Sequence, residues 1–313
     1  MMASVSIENT TATAAKKRSK PRGGLVPNYW PFVIPALVVI AAVIVFPWIF
    51  TLWMSVNSWT LGQSQSFAGL ANYARLATDM RFWEALWHTV LYTGLSVIAP
   101  VFLGTLAALI FDAQFPLRGF LRGIFVMPMM ATPVAIALVW TMMLHPQLGV
   151  LNYLLSFVGI GPQEWIYNQV SVIPSLVLVE TWQWTPLVML IVLGGLAAVP
   201  REPYESAEID GANVWQKFRY LTLPMIAPFL MIAVIIRSID AVKSFDIIYA
   251  MTQGGPGTAS ETINIYLYNT AFSYYDIGYG SAMAVVFFIL IVALSFVLLM
   301  ARQRANWSDT ETR

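Results

Sequence analysis

The chain contains six apolar stretches, and several of them exceed the ~20 residues that an α-helix needs to cross a bilayer. Hydrophobic residues make up 58% of the sequence and charged residues only 11%. The mean hydropathy of +0.68 lies far outside the range of soluble globular proteins. The sequence therefore predicts an all-α, polytopic transmembrane helical bundle of six spans, at 31–56, 86–111, 120–144, 171–199, 225–251 and 278–300.

Residue types that carry catalysis or bind metals are scarce. The chain has no cysteine, which excludes disulfides, thiol catalysis and cysteine metal sites. Its two histidines, His88 and His145, lie far apart in the sequence. The G-x-x-x-x-G-K-[ST] motif, with which P-loop proteins bind ATP phosphates, is missing from the sequence. We therefore expect no catalytic residue, metal site or cofactor in this chain, and interpret it as a protein that is not itself an enzyme.

Lysine and arginine are distributed unevenly between the loops. Residues 1–30 are interpreted as a disordered basic tail, with a secretory signal peptide as the rival interpretation. This tail, the loop at 112–119 with its flank, the polar segment after the fourth span and residues 301–313 together hold thirteen basic residues. The opposite loops hold only Arg75 and Arg81. Because basic residues mark cytoplasmic loops, both termini are predicted to be cytoplasmic.

A polar segment at residues 200–224, here called the knob, separates the fourth and fifth apolar stretches. It contains four acids and three bases. Pro203 suits the first turn of a helix, Gly211 suits its end, and Asn213 suits the cap of a second short helix. Leu223-Pro224 is predicted to begin the helix that returns to the membrane, because proline starts a helix more easily than it continues one. We predict two short helices around a glycine bend, protruding on the side of the termini.

The spacing within the knob resembles the EAA signature of importer-type ABC transporter permeases. Glu205-Ser206-Ala207 is followed after three residues by Gly211 and after nine more by Leu221-Thr222-Leu223-Pro224. The chain departs from the signature by a serine at the second position and a leucine for the usual isoleucine. The resemblance implies a cytoplasmic coupling helix that docks on a separate ATP-hydrolysing subunit and transmits its closure. It assigns the following residues to that interface: Glu205, Ser206, Ala207, Asp210, Gly211, Ala212, Leu223 and Pro224.

Polar side chains interrupt the fourth apolar stretch. Glu180 lies near its middle, where a carboxylate costs roughly 2.5–3.5 kcal/mol on insertion scales, so its side chain is expected to face a partner or water. Gln183 and Trp184 follow within about one helical turn. A carboxylate, an amide and an indole together suit a polyhydroxylated ligand, which needs hydrogen-bond partners and a flat apolar face. An internal hydrogen bond between helices is the alternative.

Charged residues of alternating sign follow every three positions along the fifth apolar stretch: Arg237, Asp240, Lys243 and Asp246. On one continuous helix they would form a drifting stripe in which neighbours neutralise one another. Such a stripe must face protein or an aqueous path, because lipid-facing charges are too costly. We interpret some of them as lining a transport route. A buried ion ladder that only holds helices together is the alternative.

A further stretch resembles the carbohydrate permeases of the maltose-transporter type. Phe245-Asp246-Ile247-Ile248-Tyr249 and then Thr252-Gln253-Gly254-Gly255-Pro256 match F-D-x-I-Y-x-x-T-x-G-G-P of that family. The resemblance implies that the external loops around Gly254, Gly255 and Pro256 receive a substrate-binding protein. It also implies that the middle of the fourth and fifth spans lines the central cavity, at or beside Glu180, Gln183, Trp184, Arg237, Asp240, Lys243 and Asp246.

The combined resemblance identifies the chain as a permease subunit of a binding-protein-dependent carbohydrate importer with the type I ABC importer permease fold. It implies that residues 31–300 form a permease domain that supplies half of a translocation pathway for a sugar, polyol or sugar derivative. The implied location is a bacterial cytoplasmic (inner) membrane. The implied partners are a related but distinct second permease, two ATPase subunits that bind ATP and magnesium, an extracytoplasmic substrate-binding protein and the membrane, with no nucleic acid.

Two alternative functions are also considered. An ion-coupled secondary transporter should show an internal repeat of its spans. A membrane-embedded enzyme should show a clustered catalytic set.

Overall fold

The computed structural model describes residues 30–308, with side chains described up to residue 302. The predicted basic tail therefore lies outside the described residues, apart from Trp30. The structure divides into two compact units, one ending at Trp48 and the other beginning at Ile49. In the first unit α1 (Trp30–Ile40) and a π-helical turn (Ala41–Val45) are apolar throughout, as expected of a helix in lipid.

The segment between the first and second spans contains a two-stranded hairpin and a short helix that are hydrogen-bonded to one another. After α2 (Phe46–Ser55), β1 (Asn57–Ser58) pairs antiparallel with β2 (Ser66–Phe67), and α3 (Ala71–Thr78) follows. The buried amide of Asn72 donates at 2.9 Å to each of two backbone carbonyl oxygens just before and within β1. This hydrogen bonding holds α3 against the preceding hairpin.

Two long helices form the centre of the second unit. Residues near the C-terminal ends of α4 (Met80–Asp112) and α8 (Val172–Ala197) share one apolar cluster, so the two helices lie parallel. A Cβ added at Gly104 would lie 2.7 Å from the Cβ of Val188, so a glycine is required where α4 approaches α8. Small residues at helix contacts are typical of membrane proteins.

The third predicted span, 120–144, is not one continuous helix. α5 (Arg118–Val126) continues into a 3₁₀ turn (Met127–Met130), and α6 (Pro133–Met143) follows after a bend of 99°. Proline lacks the N–H needed to continue a helix and favours an extended conformation in the residue before it, here with φ −68° and ψ 140°. The third span is therefore bent at the proline and consists of two helices. Between α6 and α8 the chain forms α7 (Val150–Ser156).

The knob contains two short helices, as predicted: α9 (Glu202–Ile209) and α10 (Val214–Lys217). The return to the membrane differs from the prediction, because a π-helical turn (Phe218–Thr222) joins α10 directly to α11 (Leu223–Val242). Leu223-Pro224 therefore lies within a continuous helix and does not begin one. In an α-helix the ring of Pro224 would clash with the carbonyl of Tyr220, four residues earlier. Tyr220 lies in the wider π turn, so the helix can continue past the proline.

The fifth predicted span, 225–251, is interrupted at residues 243–245. α12 (Asp246–Thr252) begins after this break. The side-chain amide of Asn264 donates at 3.2 and 3.3 Å to two carbonyl oxygens at the end of α11 and in the break. These bonds satisfy groups that a helix end leaves unpaired. The prediction of one continuous helix through this span is wrong, because the capping group comes from a distant part of the chain.

The remaining helices are α13 (Ile263–Tyr268), followed by a π turn (Asn269–Ser273), and α14 (Ile277–Ser308). α14 therefore continues past the predicted span end and into the predicted C-terminal tail at 301–313. Five helical segments of the described residues are long and apolar enough to cross a membrane, and the bent α5–α6 pair makes a sixth if it counts as one span. The all-α membrane fold is confirmed.

Candidate functional site

Arg237 of α11 is completely buried between two carboxylates. Its Nη2 atom lies 2.8 Å from Oε1 of Glu180 on α8, and its Nη1 atom lies 2.6 Å from Oδ2 of Asp240. The Arg237 and Glu180 side chains are 0% and 3% exposed, whereas that of Asp240 is 49% exposed. These three residues, here called the ion triad, therefore reach from the protein interior to its surface.

The surroundings of the ion triad are partly polar. The indole of Trp184 lies 4.8 Å from the guanidinium carbon of Arg237, a cation–π distance. Nη2 of Arg237 also lies 3.5 Å from the carbonyl oxygen of Ser96 on α4. Among the described residues, neither Nε of Arg237 nor the hydroxyl of Ser96 has a hydrogen-bond partner. The triad thus joins three helices and leaves donors free within a buried polar site.

Gln183 lies at the bend of the third span and not in the triad. Its Nε2 atom lies 3.5 Å from the carbonyl oxygen of Ala131, between α5 and α6. The side chain is buried, and its Oε1 atom has no partner among the described residues. The amide is therefore available to a carbonyl that the broken helix leaves unpaired.

Lys243 and Asp246 do not continue the predicted charged stripe. Lys243 lies in the break after α11 and Asp246 starts α12, so the four charges do not share one helix. Both side chains are exposed and form no ion pair with another described residue. The pairing predicted for Arg237 and Asp240 is confirmed, and the stripe beyond them is wrong.

A row of aromatic rings, which the sequence analysis missed, follows this break. Phe245 stacks on Tyr249, with ring centroids 5.0 Å apart and planes at 15°. Tyr268 lies 5.0 Å from Tyr249, and Phe272 lies 5.3 Å from Tyr268. The four rings come from the end of the break, α12, α13 and the π turn after α13. Only the spacing of Phe245 and Tyr249, one helical turn apart, signals the row in the sequence.

The glycine bend of the knob ends α9 with a Schellman motif. Gly211 has φ +77°, its N–H donates to the carbonyl of Glu208 at 3.1 Å, and the N–H of Ala212 donates to that of Ala207 at 2.9 Å. Asn213 and Gln216 then form the capping box that begins α10. The expected caps are confirmed, so local sequence alone determines this bend.

The predicted interface residues of the knob are largely accessible. Glu205, Ser206, Asp210, Gly211 and Pro224 are exposed, while Ala207, Ala212 and Leu223 are half-buried. Large apolar side chains also project from the knob, namely Ile209, Val214, Trp215 and Tyr220. The Nζ atom of Lys217 lies 2.9 Å from Oε1 of Glu208, and this hydrogen bond lowers the pKa of the Glu208 carboxyl. Exposed apolar and charged groups together are typical of a protein interface.

The predicted docking loop is a tight, internally bonded turn. Gly254 has φ +93° and is buried, and Gly255 and Pro256 are half-buried. The hydroxyl of Ser260 donates to the backbone carbonyl of Gly255 at 2.6 Å. The hydroxyl oxygens of Ser260 and Thr252 lie 2.8 Å apart. A partner could therefore contact this rigid turn only through its outer surface.

A second polar cluster, also missed from the sequence, lies at the end of the molecule opposite the knob. The hydroxyls of Tyr266 and Tyr279 donate to Oδ2 of Asp79 at 2.6 and 2.5 Å. Burial alone would raise the pKa of Asp79, but these bonds and one from the backbone N–H of Arg81 hold it below its usual value. Burial and the Asp79 carboxylate raise the pKa of Tyr266 to about 12. Arg81 also forms a bidentate pair with buried Glu261, at 2.7 and 2.8 Å.

Asp79→Asn is expected to destabilise the protein by about 1.5 kcal/mol at pH 7, the low end for a hydrogen bond to a charged group. Because the folded pKa lies below the usual 3.8, the contribution is complete above that value and is lost as the pH falls through the folded pKa. The apparent melting temperatures of native and variant protein in detergent should therefore differ at pH 7 and converge only when the pH falls below the folded pKa, which lies under 3.8. Tyr204→Phe is the control, because it removes a 2.9 Å hydrogen bond to the neutral hydroxyl of Thr222. This variant should lower the apparent melting temperature equally at pH 7 and below the folded pKa of Asp79.

Among the described residues, no group of three or more His, Cys, Asp or Glu side chains is placed to hold a metal ion.

Comparison with known proteins gives consistent similarities. A family described as "Binding-protein-dependent transport system inner membrane component" matches residues 100–306. The chain is 34% identical over 297 residues to the trehalose/maltose transport system permease protein MalF of Thermococcus litoralis, covering 94% of this chain and 97% of that protein. It is 35% identical over 269 residues to the sulfoquinovosyl glycerol transport system permease protein SmoG of Agrobacterium fabrum, covering 85% and 87%.

The fold is similar to that of a solved structure. A chain of the bacterial alginate ABC transporter, in complex with alginate pentasaccharide-bound periplasmic protein, superimposes with a TM-score of 0.76 at 20% identity. The match covers 88% of this chain and 94% of that chain.

Proposed function

The chain belongs to the family of binding-protein-dependent transport system inner membrane components, and on this premise we propose that it forms half of the translocation pathway of an ATP-driven importer for a sugar or sugar derivative. The observation that carries the proposal is the knob, whose EAA-type residues are exposed or half-buried on a bend fixed by its own caps. Family membership favours this function over ion-coupled secondary transport.

In the proposed importer, ATP hydrolysis lies in separate subunits, and this chain binds neither ATP nor magnesium. Two such subunits would serve a pair of permeases, each contributing one knob. Closure of the ATPase subunits would move the knob, and α11, which is continuous with α10 through the π turn, would carry that movement to Arg237. The knob and both termini would then lie on the cytoplasmic side of an inner membrane.

A substrate-binding protein would deliver its ligand at the opposite end. The rigid turn at 254–256 and the neighbouring loops supply its docking surface in this proposal. The solved alginate transporter was crystallised with a ligand-bound periplasmic protein, which supports such a partner here. The second permease of the pair is proposed to be related but distinct.

The charges around the ion triad favour a neutral, polyhydroxylated substrate. Both terminal nitrogens of Arg237 are already bonded to carboxylates, so its positive charge is compensated and does not favour an anion. Glu180, Arg237 and Asp240 together carry a net charge of −1, and the exposed Lys243 and Asp246 cancel one another. The accessible Asp240 carboxylate is an acceptor for sugar hydroxyls, and Trp184 and the aromatic row offer flat apolar faces.

Uptake of radiolabelled trehalose, maltose and sulfoquinovosyl glycerol, the substrates in the names of the two relatives, forms the first test panel. Cells that lack the chromosomal copy are complemented with the full chain and compared with empty-vector cells. Uptake that needs ATP and survives a protonophore is expected for at least one neutral sugar. Uptake abolished by the protonophore while ATP is maintained would contradict the proposal.

Asp240→Ala is expected to reduce uptake of the identified sugar roughly tenfold or more, because it removes a hydrogen bond between substrate and a charged group. Assembly should persist, since Arg237 keeps its buried bond to Glu180. Initial rates are measured at several sugar concentrations, with complex yield as the assembly readout. Asp112→Ala, an exposed carboxylate at the knob end, is the matched control and should leave uptake unchanged. Unchanged uptake in Asp240→Ala would return this residue to a structural role.

A further inference from the structure

One cavity has no residue of the ion triad in its lining and is almost entirely apolar. It has a volume of ≈ 910 Å³ and lies between α4, α5 and α8. Leu106 and Ile110 line it from α4, Ile124 and Phe125 from α5, and Trp182 from α8. The polar side chains of the lining are only Thr181 and Thr185, and the Thr185 hydroxyl already donates to the backbone carbonyl of Thr181. A sugar needs more hydrogen-bond partners than this, so the cavity is not assigned to the proposed substrate pathway.

The cavity lies within the membrane-crossing part of the chain and extends from the middle of α8 to the last turns of α4. α4 and α8 are both candidate spans and lie parallel. The lining residues of α4 fall in its last turns, and α4 ends at Asp112, the same end of the unit at which α8 leads into the knob. An occupant must therefore have an apolar part that is at home in one leaflet of the bilayer.

Two arginines approach the cavity along α5. Arg118 lies one helical turn before Arg122, and Arg122 lies one turn before Phe125, so the three residues share a face. Nη1 of Arg118 donates to the backbone carbonyl of Asp112 at 3.3 Å, while Arg122 forms no ion pair with another described residue. Counting the Asp112 carboxylate, this corner carries a net charge of +1.

The rest of α5 is suited to a membrane surface. Phe120, Leu121 and Ile124 are exposed apolar side chains on the same short helix as the two arginines. The 99° bend before α6 turns α5 away from the direction of the following helix. A basic, amphipathic helix of this kind lies at the boundary between headgroups and acyl chains.

We propose that this cavity binds an anionic phospholipid from the leaflet on the knob side, with an acyl chain between α4, α5 and α8 and the phosphate on Arg118 and Arg122. Charge complementarity selects this occupant, because basic pockets between membrane helices bind anionic headgroups and the lining suits an acyl chain. The proposal does not depend on the transported substrate.

Trp182 gives a direct reporter, because it lines the cavity. The full chain is assembled in nanodiscs of phosphatidylcholine that contain a small fraction of acyl-brominated phosphatidylglycerol or, separately, acyl-brominated phosphatidylcholine. The fluorescence difference between native protein and Trp182→Phe isolates the quenching of Trp182. We expect brominated phosphatidylglycerol to quench it at a lower mole fraction, by roughly fivefold for each arginine engaged.

The double variant Arg118→Gln/Arg122→Gln is expected to be quenched equally by the two lipids. Arg219→Gln, which removes a basic residue of the knob, is the control and should keep the preference for phosphatidylglycerol. Equal quenching in the native chain would overturn the proposal, and so would a preference that survives the double variant. Absence of Trp182 quenching by either lipid would also overturn it, since the cavity would then be covered by protein.

Discussion

Arg237→Met is expected to destabilise the folded chain by about 3–5 kcal/mol, the usual cost of removing one partner from a buried ion pair. The substitution leaves Glu180, which is 3% exposed, without the guanidinium that compensates its charge. Asp240 is less affected, because its side chain is 49% exposed and can be hydrated. The apparent melting temperature in mild detergent and the yield of folded chain from membranes are the measurements.

The double variant Arg237→Met/Glu180→Gln should recover much of this loss, because no uncompensated charge then remains in the interior. Arg75→Met is the matched control. Arg75 is also paired, at 2.9 Å to Asp276, but its side chain is 58% exposed, so its loss should cost about 1 kcal/mol or less. Equal melting temperatures for the two single arginine variants would show that the ion triad contributes no more than a surface pair.

Gly211→Val is expected to reduce uptake of the substrate to background while the chain still folds and reaches the membrane. Gly211 has φ +77°, a conformation that costs an ordinary residue roughly 1–2 kcal/mol and a β-branched residue more. No atom lies within 4 Å of the added Cβ, so the substitution acts through the backbone and not through a clash. Loss of the Schellman bend would displace α9 from α10 and with it the exposed interface residues.

Two variants separate this effect from general backbone strain. Gly62→Val carries the same strain, at φ +87° and with no neighbour within 4 Å, in the loop at the opposite end, and should transport normally. Gly211→Asn should also transport, because asparagine tolerates the left-handed conformation. Uptake is measured in complemented cells, and substrate-stimulated ATP hydrolysis is measured on the purified complex. Normal stimulated hydrolysis in Gly211→Val would count against the role of the knob in coupling.

The features predicted well from the sequence are those that local interactions determine. The Pro203, Gly211 and Asn213 signals of the knob act over a few residues, and the structure has both short helices and their caps. Likewise Glu180 has the partner that a mid-membrane carboxylate requires. That this partner is Arg237 could not be predicted, because the pairing depends on how α11 is rotated and shifted against α8.

The errors occur where distant residues compete with local pattern. The break after α11 is stabilised by Asn264, which lies more than 20 residues away from Val242, the last residue of α11. The proline at residue 133 signals the bend before α6, but local sequence does not report its angle of 99°. The cluster of Asp79 with Tyr266 and Tyr279 joins segments separated by most of the chain, so no short motif reports it.

The most direct test of the central claim is purification of the tagged full chain from its native host in mild detergent, with every co-purifying protein identified by mass. We expect the native chain to retain a P-loop ATPase and a second, related permease. Gly211→Val should keep the second permease and lose ATPase in proportion to its loss of uptake. Recovery of the native chain alone, intact and monodisperse, would contradict the assignment of the knob as the contact with a motor subunit.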